Sequence, residues 1–221
     1  MIAGLSRLAT FFMLCAVITI SGCASWGFGS AKNNTSAQRV AGVLNHTNEQ
    51  WTLQLCGAEQ ADPIEADGQL SELFGKVAEP GQTAIFVELD AEQHDGRWQV
   101  RDIRRMLSTG RGCLDDSATA SQWVGLSFNP NWRVDITDQG MELTLAGSET
   151  GQRVSIISEQ LPDGSRSFRD SGERNLELWL YPSACFEPVS GDYYHLSATL
   201  LRDGQRLNGC GYQGGVDHTP R

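Results

Sequence analysis

From Gln122 to Gly215 the chain alternates apolar and polar residues in short runs, with glycine-bearing turns between them. Strict alternation places every second side chain on one face of a strand, so this pattern excludes a helical bundle and demands a half-buried antiparallel sheet. The runs are Trp123–Phe128, Trp132–Thr137, Met141–Ala146, Val154–Glu159, Leu176–Tyr181, His195–Leu201 and Gln205–Tyr212. Asp138-Gln139-Gly140, Asp163-Gly164 and Asp203-Gly204 separate them. The last is the sharpest hairpin signal, because Asp-Gly supplies the two positive-φ residues of a tight turn. Seven or eight such strands predict an antiparallel barrel or sandwich over residues 122–215.

A second periodic block precedes it, over residues 39–113. Arg39–Leu44 and Trp51–Leu55 read as strands around a turn at His46-Thr47-Asn48, and Ile64–Ala66 reads as a weaker third strand. Leu70, Leu73, Phe74 and Val77 then recur at helical spacing until Pro80-Gly81 ends the run. Thr83–Leu89 and Trp98–Leu107 complete the order β-β-β-α-β-β, with a turn at Asp95-Gly96. An OB-fold has this order, its helix lying between the third and fourth strands. The expected fold class is therefore mainly β: an N-terminal OB-like small barrel with one short helix, then an antiparallel barrel or sandwich. Residues 114–121 read as a linker and 216–221 as a tail.

The N-terminus carries an address. Arg7 is the one charge before the apolar run Leu8–Ile20, which is too short to cross a hydrocarbon core of about 30 Å comfortably. The run exits through Ser21-Gly22-Cys23. This resembles the lipobox of bacterial lipoproteins, in which the cysteine is acylated and becomes the mature N-terminus. The resemblance implies that residues 1–22 are a signal peptide and that Cys23 carries the lipid. Ala24 rather than Asp follows it, which in Gram-negative lipoproteins favours the periplasmic face of the outer membrane. Residues 23–38 are small and polar, a lipid-anchored tether. Loss of residues 1–22 leaves 199 residues and takes the net charge from −10 to −11. Such a surface disfavours nucleic acid, whose phosphates call for Lys and Arg.

Cys15 leaves with the signal, so Cys56, Cys113, Cys185 and Cys210 remain for disulfides, as an exported chain permits. Of the three connectivities, Cys56–Cys113 with Cys185–Cys210 keeps each bridge inside one block. No Cys-x-x-Cys and no His-rich spacing suggests a metal, and no cofactor is expected. His46 and His94 fall in predicted turns, His195 opens a strand and His218 lies in the tail; all four read as surface residues. Glu187 and Asp192 read as exposed loop acids, and Ser190-Gly191-Asp192 as a turn rather than a nucleophile, since the strand–turn–helix context of a Gly-x-Ser-x-Gly elbow is missing.

Two segments resemble a family of uncharacterised bacterial envelope proteins: Phe128-Asn129-Pro130-Asn131-Trp132, and Cys185-Phe186-Glu187-Pro188-Val189-Ser190-Gly191 with Tyr194 and Gly209-Cys210. Asn129, Asn131, Val189 and His195 depart from that family's Glu, Phe, Met and Pro. The resemblance implies a structural motif of Trp132, Ser190, Gly191 and Gly209, with no catalytic residue. Gly42, Trp51 and Cys56 are similar to the OB-like domain of outer-membrane lipoproteins of the copper-homeostasis and envelope-stress type. Together these readings predict a non-enzymatic binding, scaffold or stress module whose partners are the membrane, through the lipid, and an envelope protein or glycan. An inhibitor of a periplasmic enzyme such as lysozyme is the alternative, followed by a cell-wall glycan hydrolase.

Overall fold

A computed structural model describes residues 36–115, 120–148, 151–172 and 174–215. Cys23, most of the tether, His218 and the tail lie outside the described residues. The first strands are β1 (Gln38–Thr47), β2 (Gln50–Leu55) and β3 (Asp62–Glu65), followed by helix α1 (Gly68–Val77), β4 (Ala84–His94) and β5 (Arg97–Leu107). β1 pairs with β2 and β4, β2 with β3, β3 in parallel with β5, and β5 with β4. This circuit closes a five-stranded barrel in OB-like order. Gly42 sits where β1 faces both neighbours; a Cβ there would lie 2.3 Å from the Gln54 carbonyl oxygen. The Asp67 side chain caps α1 by accepting from the Leu70 N–H at 2.7 Å. Leu70, Leu73, Phe74 and Val77 are buried on the helix face turned to the barrel core.

The first hairpin is tighter than the sequence suggests. Asn48 and Glu49, both at positive φ, make the two-residue turn, so His46 and Thr47 belong to β1. The second turn, Asp95-Gly96, falls where expected, also with both residues at positive φ.

The remaining strands are β6 (Trp123–Phe128), β7 (Asn131–Thr137), β8 (Gly140–Leu145), β9 (Gln152–Val154), β10 (Ile156–Gln160), β11 (Arg166–Asp170), β12 (Leu176–Tyr181), β13 (Cys185–Phe186), β14 (Tyr193–Tyr194), β15 (Leu196–Arg202) and β16 (Gln205–Gln213). Nine of them form an antiparallel sheet in the order β10-β11-β12-β15-β16-β6-β7-β8-β9. Its edge strands, β9 and β10, are separated only by Ser155, whose carbonyl accepts from the Ser171 N–H and hydroxyl. The sheet therefore curls into a nearly closed barrel around Trp132, Val134, Ile136, Met141, Leu143, Phe168, Leu178, Leu180 and Leu200. The single run expected at Val154–Glu159 is broken at Ser155 into the two edges.

The boundary between the two periodic blocks does not divide the sheets. Between β12 and β15 the chain leaves the nine-stranded sheet, and β13 and β14 add to the first one, Tyr193 opposite Met106 and Tyr194 opposite Arg105. The outer wall of the first barrel (Ala41, Phe86, Leu107) then packs on the outer wall of the second (Val124, Leu126, Cys210, Tyr212) in a shared apolar cluster.

Candidate functional site: the junction and the barrel mouth

Both disulfides form as expected. Cys56–Cys113 closes the first barrel with its Cα atoms 5.4 Å apart, and Cys185–Cys210 has them 5.5 Å apart. The second does more than clamp a hairpin: Cys185 belongs to the first sheet and Cys210 to the other.

Trp132 is buried inside the second barrel. Its ring lies over glycines: a Cβ on Gly209 would meet Trp132 Cζ2 at 2.8 Å and the Leu126 oxygen at 2.2 Å, and one on Gly125 would meet Cζ3 at 3.3 Å. Thus Gly209 is required by close approach, whereas Gly191 is required by its positive φ of 74°.

Glu187 and Asp192 are not exposed; both are buried. Glu187 accepts from the backbone N–H groups of Val189 (2.7 Å), Ser190 (2.9 Å) and Phe128 (3.1 Å). Those bonds stabilise a buried carboxylate without a cation, and they staple the Phe128–Trp132 segment to the 185–191 loop. Asp192 accepts from the Ser108 N–H (2.9 Å) and hydroxyl (3.3 Å), just past the end of β5 on the sheet that β14 extends. Burial pushes its pKa up, opposed by those bonds. The Ser190 hydroxyl accepts from the Asp192 N–H at 3.3 Å, so the Ser-Gly-Asp run is a turn that locks itself.

Between the barrels, Arg105 is fully buried and donates to Glu88 at 2.7 Å from the opposing strand. Its guanidinium lies 4.2 Å from the Tyr212 ring centre and 5.1 Å from that of Phe86. Arg133 pairs with Asp135 at 2.7 Å and reaches the Tyr212 hydroxyl at 3.5 Å.

Beside this network, one mouth of the second barrel opens into a polar cleft of about 330 Å³. Trp123, Arg166 and Leu180 come from the barrel, and Asp102, Arg104, Tyr193 and His195 face them from the first sheet and its extension. Arg104 is engaged by Asp90 and, at 3.2 Å, by Asp102. Arg166 has no carboxylate partner among the described residues; its guanidinium stacks 4.5 Å from the Trp123 ring centre. His195 is not a surface residue. Its Nδ1 lies 2.9 Å from the Arg104 carbonyl oxygen. A carbonyl only accepts, so Nδ1 carries the proton and Nε2 is an acceptor. Burial first, then the nearby arginines, pull its pKa down to about 4, against the bond to Arg104.

Of the other described histidines, His46 differs from the expectation, whereas His94, its side chain 37% exposed, keeps to it. His46 stacks on Trp51 at 4.0 Å and 8°, over the edge of Phe74, and His94 contacts Glu92 at 3.0 Å. The cleft was hidden in the sequence because its residues come from seven strands. Arg166-Ser167-Phe168-Arg169-Asp170 does not alternate cleanly, so β11 itself escapes a periodicity reading. No protein-family model, no curated protein and no solved structure matches this chain.

Proposed function

We propose that the chain is an exported envelope lipoprotein, anchored through Cys23, whose folded part is a non-enzymatic binding module that receives its ligand at the mouth of the second barrel. The observation that carries the binding reading is the cleft: a guanidinium without a carboxylate partner among the described residues and an indole converge where the two sheets meet. The barrel mouth is also a place where small-molecule sites recur. The side chains that would serve a hydrolase are engaged elsewhere, since Glu187 and Asp192 accept from backbone amides and Ser190 holds a turn. The anchor reading rests on the Ser21-Gly22-Cys23 exit of the apolar run, and the net charge continues to disfavour nucleic acid.

Variants in the cellular setting test the binding reading. Trp123→Ala and Arg166→Ala should abolish whatever phenotype deletion of the chain produces, while Ser190→Ala should leave it intact. Loss of the phenotype in Ser190→Ala, with the protein folded and abundant, would instead place an active site at that loop. For the anchor, Cys23→Ala should release the protein from membranes.

A second reading, an inhibitor-like binder of a periplasmic enzyme such as lysozyme, is favoured by one observation. Phe128, Phe186 and Val189 are 44%, 40% and 62% exposed on the two loops that Glu187 ties together. An exposed apolar rim suits a protein surface better than a small ligand.

A further inference from the structure

We infer that the barrel-mouth cleft takes the carboxylate end of a short peptide, clamped by the Arg166 guanidinium against the Trp123 ring, with His195 Nε2 accepting from the adjacent amide N–H. The inference rests on the binding reading above and names the ligand class of that same cleft.

Its first support is the state of Arg166. The chain holds 27 acidic residues against 17 basic ones, so carboxylates are in excess, and the neighbouring arginines use them. Arg104 takes both Asp90 and Asp102, and Arg101 takes Glu92. Arg166 sits half-buried with no such partner among the described residues. Its guanidinium lies over the Trp123 ring, 4.5 Å from the centre, and its N–H fork takes no carboxylate among the described residues. That fork matches a carboxylate with two parallel hydrogen bonds.

The rest of the lining narrows the class. Asp102 contributes negative charge on the opposite wall, which repels a polyanion but tolerates a single carboxylate held away from it. His195 presents an acceptor, because its proton is committed to the Arg104 carbonyl. An anion flanked by a hydrogen-bond donor is what a peptide C-terminus offers: a carboxylate one residue from an amide N–H. The volume of about 330 Å³ suits a ligand of one or two residues rather than a folded partner.

The test uses the full chain, purified from envelopes in detergent and labelled with ¹⁵N. The Trp123 indole N–H signal is assigned by its loss in Trp123→Phe. Acetyl-alanyl-alanine with a free carboxylate should shift that signal saturably. The same peptide with a C-terminal amide should bind at least about ten-fold more weakly, the loss of one charge-assisted bond. Arg166→Gln should erase the preference for acid over amide. Arg166→Lys, which keeps the charge but not the fork, should reduce it; this variant carries the test if Arg166→Gln lowers the melting temperature. Ser190→Ala should bind as the parent does. Equal binding of acid and amide, a preference that survives Arg166→Gln, or no saturable shift with the acid overturns the inference. If a neutral saccharide or the amide shifts Trp123 while the acid does not, the carboxylate class falls and the cleft stands as a binding site. If none of these probes shifts it and Arg166→Ala keeps the cellular phenotype, the binding reading falls as well.

Discussion

The five-stranded barrel fills its core with Leu44, Leu53, Ile64, Ile85, Val87, Leu89, Ile103 and the Trp98 indole among others, with the apolar face of α1 laid against it. The nine-stranded sheet also buries an indole, Trp132, but seats it on a wall thinned to glycine at Gly125 and Gly209. The difference teaches where each half is vulnerable. A ring packed among side chains leaves neighbours that can adjust around it, whereas a ring seated on two missing Cβ atoms depends on all three.

Trp132→Ala offers the largest test of that contrast. Deleting a fully buried ring should cost about 3–5 kcal/mol, while Leu53→Val in the first barrel should cost roughly 1 kcal/mol. Chemical denaturation of the two variants measures both. A loss from Trp132→Ala no larger than that from Leu53→Val would mean that the ring carries little of the second core. Gly209→Ala approaches the same ring from the other side. The added methyl would overlap the Leu126 carbonyl and Trp132, and overpacking of this kind should cost about 1–3 kcal/mol; a variant as stable as the parent would show that the strand yields freely there.

The carboxylate staple at the junction comes next. Glu187→Gln replaces a charge that accepts three backbone N–H bonds by an amide with one acceptor oxygen, and should cost about 2 kcal/mol. Ser190→Ala removes one long bond and should cost under about 1 kcal/mol. Thermal melts of the two variants rank them. Glu187→Gln as harmless as Ser190→Ala would mean that the Cys185–Cys210 bridge and the Asp192–Ser108 bonds suffice to hold the loop.

What was legible in the sequence follows from range. Asp95-Gly96 and Asp203-Gly204 give their hairpins away because a type I′ turn is decided by two adjacent residues. The Leu70–Val77 stripe and its Asp67 cap are equally local. The four cysteines could be paired because only one connectivity kept both bridges short. The fate of Glu187 and Asp192 was hidden: a carboxylate beside Pro, Ser and Gly looks like a surface loop, and only the distant Phe128 and Ser108 amides show otherwise. The two-residue strands β13 and β14 are too short for any period, and β5, which pairs with β14, lies roughly ninety residues upstream.

The junction and the second barrel's interior should also differ in their response to acid, a smaller effect than the substitutions above. Trp132 and its aliphatic neighbours do not titrate, so the barrel interior is indifferent to pH. His195 is different: packed beside Arg104, Arg39 and Asp102, it is held neutral down to about pH 4 in the folded chain. In the unfolded chain it takes up a proton near its ordinary value of about 6.5. The unfolded state therefore binds more protons between those values, and its contribution to stability is complete above about pH 6.5 and falls as the pH drops toward 4. Allowing for its partial exposure, the loss between pH 7 and 5 should be on the order of 1 kcal/mol. Asp192 works in the opposite sense, since a raised carboxylate pKa favours the folded state at low pH and loses that contribution as the pH rises through it. The two are separated by measuring stability at pH 7 and pH 5 in the parent, in His195→Gln and in Asp192→Asn. His195→Gln should lose less stability on acidification than the parent, and Asp192→Asn should lose no less than the parent. A His195→Gln profile parallel to the parent's would mean that the imidazole is protonated in the folded chain, which would also remove the Nε2 acceptor from the cleft.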